Sequence, residues 1–326
     1  PVIPQQRINR RLKHNHQSNQ SINQSIKSSL INHQSKKSTI MKTIKTLILG
    51  LVAVTSFSFS TQAQTKKANE NSLLWEISGN GLARPSYVYG TLHMMCESDF
   101  TIKEKVKKAF DKSTKLALEL DFDEPSEVKA MQEMSVSKVA LSTLLTPEDY
   151  KKLDVLLKER VGAGANQFEH TSLHSLLSMI MFKALNCNPK MYEFEFLQMA
   201  QKRKMEILGL EKFATQFAAM DATFSPPVMV EQLSNYDKKY FDLLTQTYKS
   251  EDLKAIYEMV NDPKFMDEKS KPVMLDNRNS NWVKDMPAMM KNESVFFAVG
   301  AAHLGGEKGV IQLLQKAGYK VQPITN

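Results

Sequence analysis

The chain has 326 residues, 42% of them hydrophobic, and carries 43 Lys and Arg against 35 Asp and Glu, a formal charge of +8. Such a basic excess would suit a nucleic-acid binder if it belonged to the folded part. It does not: residues 1–63 hold nine Lys and Arg and no acid, which leaves 34 basic against 35 acidic residues, a net charge of −1, and no compositional case for nucleic acid.

Pro1 to Ile40 is rich in Asn, Gln, Ser and Lys, without an acidic or aromatic residue, a composition that predicts disorder. Met41 then opens a different pattern. Lys42 and Lys45 precede an apolar run, Thr46 to Phe59, and Thr61-Gln62-Ala63 offers small residues for cleavage, which together read as a secretory signal peptide. The run is too short and wrongly flanked for a membrane span. The expected organisation is a leader over 1–40 (from a misassigned start), a signal peptide over 41–63 and one domain over 64–326. That domain would be exported, periplasmic or secreted, with no stable membrane insertion of the mature chain. An oxidising compartment lets Cys96 and Cys187 pair as a disulfide; the alternative is a reactive or metal-binding thiol at Cys96, three residues after His93.

In chain order, Ser72 to Ile77 reads as a strand, Gly79-Asn80-Gly81 as a turn and Ser86 to Tyr89 as the second arm of a hairpin. Ile102 to Lys112 repeats apolar residues at helical spacing, and Lys115 to Leu120 is a third strand carrying Glu119. Residues 126–182 are mostly helical, with Pro147 after the Thr146 cap and a Met- and Leu-rich helix from Ser172. A helix over Met191 to Lys204 leads into a short strand, Met205 to Leu208, and further helices follow to Met289. Strand Val295–Val299, helix Gly309–Lys316 and strand Tyr319–Pro323 close the chain as a right-handed, parallel βαβ unit. The fold class expected is α/β: a central mixed sheet flanked by helices, with a large helical insertion between its N- and C-terminal motifs.

Two stretches share the pattern G-x-x-H: Gly90-Thr91-Leu92-His93 and Gly300-Ala301-Ala302-His303, each directly after a β-prone run. A strand that ends in Gly and then offers His puts an imidazole at the carboxyl end of a sheet, where open α/β folds bind ligands. Beyond Ala63 the chain has four histidines, His93, His170, His174 and His303, and two of them sit in these matching contexts. Glu119 closes an otherwise apolar strand, expected to neighbour the strand of the first motif, where a carboxylate is expensive to bury without a partner. Two imidazoles and a carboxylate are the donors that hold a divalent transition metal and leave positions open for water. A metal-free version makes His93 a general base oriented by Glu119. His170 and His174 share one helical face but have no third ligand near, and read as helix-start residues. Arg278, between Asn277 and Asn279, is a cation placed to bind a carboxylate or an oxyanion.

The segment from Leu73 to Met94, the LALELD run around Glu119, YEFEFLQMAQKRKMEILGLE, DNRNSNW and the closing run from Val295 to Ile324 appear in this order. Together they resemble the TraB/GumN family, which includes the Tiki-type metalloproteases. The resemblance implies an erythromycin-esterase-like α/β architecture with His93, Glu119 and His303 as catalytic and metal-binding positions. It also brings forward Glu211 and Arg278 as further polar positions, expected to bind substrate. By the resemblance the metal is Mn or Co, with Zn as a further option, and the substrate a peptide or small molecule. The reading is a metal-dependent hydrolase of peptide bonds; a non-catalytic binding protein on the same fold and a metal-free esterase stand as alternatives. The sequence carries no signal for oligomeric state.

Overall fold

The computed structural model describes residues 71–265 and 267–325, so the readings of 1–40 and 41–63 fall outside the described residues. Strand β1 (Leu74–Ser78) turns into β2 (Ser86–Thr91), and a two-residue β3 (Met95–Cys96) follows. Helix α1 (Glu104–Lys112) leads to β4 (Lys115–Leu118). A helical stretch comes next: α2 (Pro125–Met134), α3 (Leu141–Leu144), α4 (Pro147–Arg160) and α5 (Leu173–Leu185). The short β5 (Pro189–Lys190), α6 (Tyr192–Arg203) and β6 (Glu206–Gly209) return the chain to the sheet. Helices α7 (Phe213–Thr223), α8 (Pro226–Asn235), α9 (Lys238–Lys249), α10 (Leu253–Val260) and α11 (Asn277–Met290) precede β7 (Val295–Gly300), α12 (Val310–Lys316) and β8 (Lys320–Pro323).

Six strands form one mixed sheet in the order β6-β4-β7-β2-β1-β8, as the α/β class requires. Strands β6, β4, β7 and β2 run parallel, and β1 is antiparallel to both β2 and β8. The closing β7–α12–β8 unit is therefore parallel in direction, but β2 and β1 lie between its two strands. Every residue of β2 and β7 is buried, because helices cover both faces. Alternation along β7 sends Phe296 and Ala298 into a core with Phe110, Phe196 and Ile256, and Val295, Phe297 and Val299 into one with Trp282, Met286 and Leu314. Local chemistry agrees with the larger plan at α4, where Pro147 opens the helix and the Thr146 hydroxyl accepts from the Asp149 N–H.

A second, two-stranded ribbon pairs β3 with β5, and the disulfide Cys96–Cys187 joins chain segments 91 residues apart beside it. No free cysteine remains among the described residues, so the thiol alternative for Cys96 is not realised. The bridge lies three residues past His93 and ties that loop to the end of α5. Closing so long a loop constrains the unfolded chain by about 2–4 kcal/mol. The double variant Cys96→Ser, Cys187→Ser should lose that much in urea unfolding, and a loss below about 1 kcal/mol would show that the bridge adds little. Among the described residues no helix is long and apolar enough to cross a membrane.

Candidate functional site

Strand order sets the site. In the parallel β2–β7 pair Thr91 lies opposite Gly300, so both G-x-x-H motifs leave the same carboxyl edge side by side. On the far side of β7, Leu118 of β4 lies opposite Ala298, and Glu119 is the next residue. Glu211 continues from β6, its N–H donating to the Glu119 carbonyl at 3.0 Å. Glu211, Glu119, His303 and His93 thus follow one another along the sheet edge. The expectation that Glu119 would neighbour the first motif's strand is corrected here: β7 stands between them, and Glu119 meets the second motif.

Both motif glycines are needed for close approach. A Cβ at Gly90 would stand 3.0 Å from the Ala301 backbone, and one at Gly300 would stand 3.2 Å from His93 Nε2 and 3.3 Å from Glu119 Oε1. The Gly300 site therefore marks the point on which the first histidine and the glutamate converge.

Glu119 is buried and fully bonded. Its Oε1 accepts the Gly300 N–H at 2.8 Å, and its Oε2 accepts Arg278 Nη2 at 2.6 Å and Gln216 Nε2 at 3.2 Å. Burial pushes its carboxyl up, but His303, Arg278, His93 and the Gly300 N–H outweigh that and hold it at about 2. Arg278, from the first turn of α11, grips Glu211 with Nε at 2.9 Å and Nη2 at 2.5 Å, and donates to the Met274 carbonyl through Nη1. Glu211 is raised by its burial, which Arg278 only partly opposes. With all its donors engaged on the protein, Arg278 is a buried counter-ion to Glu119 and Glu211, which differs from the substrate-binding role expected of it and of Glu211.

The two histidines are held in the same way by different partners. His303 Nδ1 lies 2.6 Å from Asn279 Oδ1, and Asn279 Nδ2 donates to the Lys308 carbonyl. The amide oxygen must then accept from Nδ1–H, which leaves the Nε2 lone pair facing Glu119 Oε1 at 3.8 Å and Arg278 Nη1 at 3.3 Å. Burial, with Arg278 and His93 acting in the same sense, lowers His303 to about 3 against the pull of Glu119, so it is neutral. Trp282 packs on its ring at 4.4 Å between centroids. His93 Nδ1 lies 2.9 Å from Glu193 Oε1, which also accepts the Thr91 hydroxyl at 2.7 Å. Burial would lower His93, but the charge and hydrogen bond of Glu193, with Glu119 behind, raise it to about 9. Its side chain is 22% exposed, against 6% for His303, so His93 is the imidazole that a ligand reaches first.

The carboxylate that orients His93 is therefore Glu193, not Glu119. Its one local signal in the sequence is an acid between Tyr192 and Phe194, in the first turn of α6. His170 and His174 take no part. His170 is exposed beside the Ser137 carbonyl, and His174 is buried against Phe217, with desolvation lowering it to about 4. A pocket of about 50 Å³ opens beside His93, Gly300 and His303, while a wider groove of about 770 Å³ between α4 and α8 contains no histidine.

Among the described residues no three His, Cys, Asp or Glu side chains are gathered closely enough to cage an ion. The donor chemistry still fits one: both imidazoles have Nδ1 held by an oxygen partner, as in metal-ligating histidines, with His93 Nε2 directed to the Gly300 side and His303 Nε2 accepting from Arg278 Nη1 at 3.3 Å, a bond that an ion would replace.

Metalloprotease TIKI1 of Danio rerio is 22% identical to this chain over 80% of its length, and the chain spans 65% of that relative. No solved structure matches the chain. The sequence pattern of the TraB/PrgY/gumN family matches residues 73–323, so the chain belongs to that family.

Proposed function

We propose that the protein is an exported, metal-dependent hydrolase of peptide bonds, with His93, Glu119 and His303 as the groups that would hold a divalent ion. The observation that carries this is the pair of histidines from matching motifs, each with Nδ1 fixed by an oxygen and Nε2 turned toward the Glu119 side of the site. The family, with a metalloprotease among its relatives, supports the hydrolase class. When bound, a divalent ion supplies Lewis acidity to a carbonyl oxygen and lowers the pKa of water. The chain's own residues do the rest. Asn279 holds the His303 tautomer, Glu193 holds His93, and Arg278 keeps Glu119 ionised in a buried setting.

One observation favours a second, metal-free reading: the Arg278 guanidinium already supplies a positive charge between Glu119, Glu211 and His303. In that reading His93, raised to about 9, meets substrate as an acid at neutral pH rather than as the general base.

Metal analysis of the purified protein together with peptide and ester hydrolysis separates the two. The first reading expects bound Mn, Co or Zn, and His93→Ala and His303→Ala losing at least nine-tenths of both metal and turnover. Full turnover after EDTA treatment selects the metal-free reading. Unchanged metal and turnover in both variants ends the first.

A further inference from the structure

The small pocket beside the histidines has an unusual division of labour among its walls. Its polar side is the site itself, His93, Arg278 and His303. The remainder is apolar: Leu244 of α9, Ile256 and Val260 of α10, Leu275 ahead of α11, and the motif residues Leu92 and Ala302. Residues between the Gly and the His of both G-x-x-H motifs thus contribute to one wall, and the helices that cover the sheet complete it.

We propose that this pocket receives a small aliphatic side chain of the substrate, the size of alanine or valine, next to the bond held at His93 and His303. The proposal rests on the hydrolase reading and adds a substrate class to it.

Size comes first. One water needs roughly 10–15 Å³ of such space, so about 50 Å³ takes about three or four heavy atoms, a branched C3 group and not a ring. Charge comes second. An acidic side chain would find both cations of the pocket already paired, Arg278 with Glu119, Glu211 and the Met274 carbonyl and His93 with Glu193, and it would bring a further negative charge toward the buried Glu119 and Glu193 behind them. A Lys or Arg side chain would have to shed water against Leu244, Ile256 and Val260, which are 2%, 2% and 6% exposed, with no acceptor among them. Apolar contact is what these walls offer, and pockets of this kind discriminate by about tenfold or more per methylene.

The test titrates the full chain with the N-acetyl N-methylamides of valine, aspartate, lysine and tryptophan by ligand-observed NMR. In parallel, a random peptide library is digested and its cleavage sites are read by mass spectrometry. Valine should bind at least tenfold more tightly than the other three. Ala302→Phe, at the partly exposed mouth, should abolish valine binding. Val260→Ala should move the preference toward leucine, which keeps the test open should Ala302→Phe fail to fold by circular dichroism. Equal affinities, no binding of any probe, valine binding that survives in folded Ala302→Phe, or an unchanged preference in Val260→Ala would each overturn the pocket. Selective valine binding with no peptide cleaved leaves the pocket standing and ends the hydrolase reading. Cleavage sites enriched in charged residues overturn the pocket and leave the hydrolase reading in place.

Discussion

Arg278→Met is expected to lower the unfolding free energy by about 3–5 kcal/mol at pH 7, because it strands two buried carboxylates around an apolar side chain. Arg278 is 5% exposed, and it is the one cation within 4 Å of Glu119 or Glu211 other than histidine among the described residues. The loss should grow as pH rises. In the parent protein Glu119, held at about 2, contributes stability that is complete above the ordinary carboxyl value and drains away as pH falls toward 2. Glu211 acts the other way: burial raises it, so its contribution is present at low pH and is lost as pH rises through its folded value. Without the guanidinium, burial raises Glu211 further, and Glu119 keeps only His303, His93 and the Gly300 N–H against its burial, so the loss relative to the parent should be larger at pH 8 than at pH 5. Urea unfolding at the two pH values measures this, with fluorescence as the probe, since Trp282 packs against both Arg278 and His303. A loss under 1 kcal/mol with the parent's pH slope would show that the acids find another partner or water.

What the sequence revealed of this site, and what it hid, follow from the same physics. Strand-ending motifs with Gly are local: the chain must stop, turn and bring two backbones close, so Gly90 and Gly300 announced themselves together with His93 and His303. Glu119 was visible because an acid ending an apolar strand needs a partner. Its neighbour was misjudged, since strand order is decided by pairings across nearly two hundred residues that periodicity does not encode. For the same reason the last βαβ unit read correctly as parallel while the two strands inserted within it did not show. Arg278 stood out by its flanking amides, yet only the packed structure reveals that its donors are spent on Glu119 and Glu211 and that Asn279 is the partner of His303. Glu193 was the least legible residue. In an amphipathic helix an acid in the first turn is ordinarily a solvated, dipole-stabilising group. Here the helix lies so that this acid is 4% exposed and bonded to the first motif.

Glu193→Gln should cost about 10–100-fold in metal affinity or hydrolysis, the range seen when the partner of a ligating histidine is removed. The amide keeps the shape and can still accept from His93 Nδ1–H, so the change is one of charge rather than of packing. Glu193 Oε2 has no hydrogen-bond partner among the described residues, while Oε1 serves both Thr91 and His93. An isolated negative charge buried in this way acts mainly on the imidazole beside it. In chelator-treated protein the His93 ring should therefore titrate near 9 in the parent, and well below that in Glu193→Gln, where burial is left to lower it. The sign for stability follows. A histidine raised in the folded state contributes stability that is complete below about 6.5 and is lost as pH climbs through 9. The parent should weaken over that interval, and the glutamine variant should not. Imidazole NMR resonances followed from pH 5 to 10 report the titration directly, and Glu193→Asp should recover part of both the titration and the activity. If His93 titrates identically in parent and glutamine variant, Glu193 is a packing residue and the ring is set by Glu119 after all.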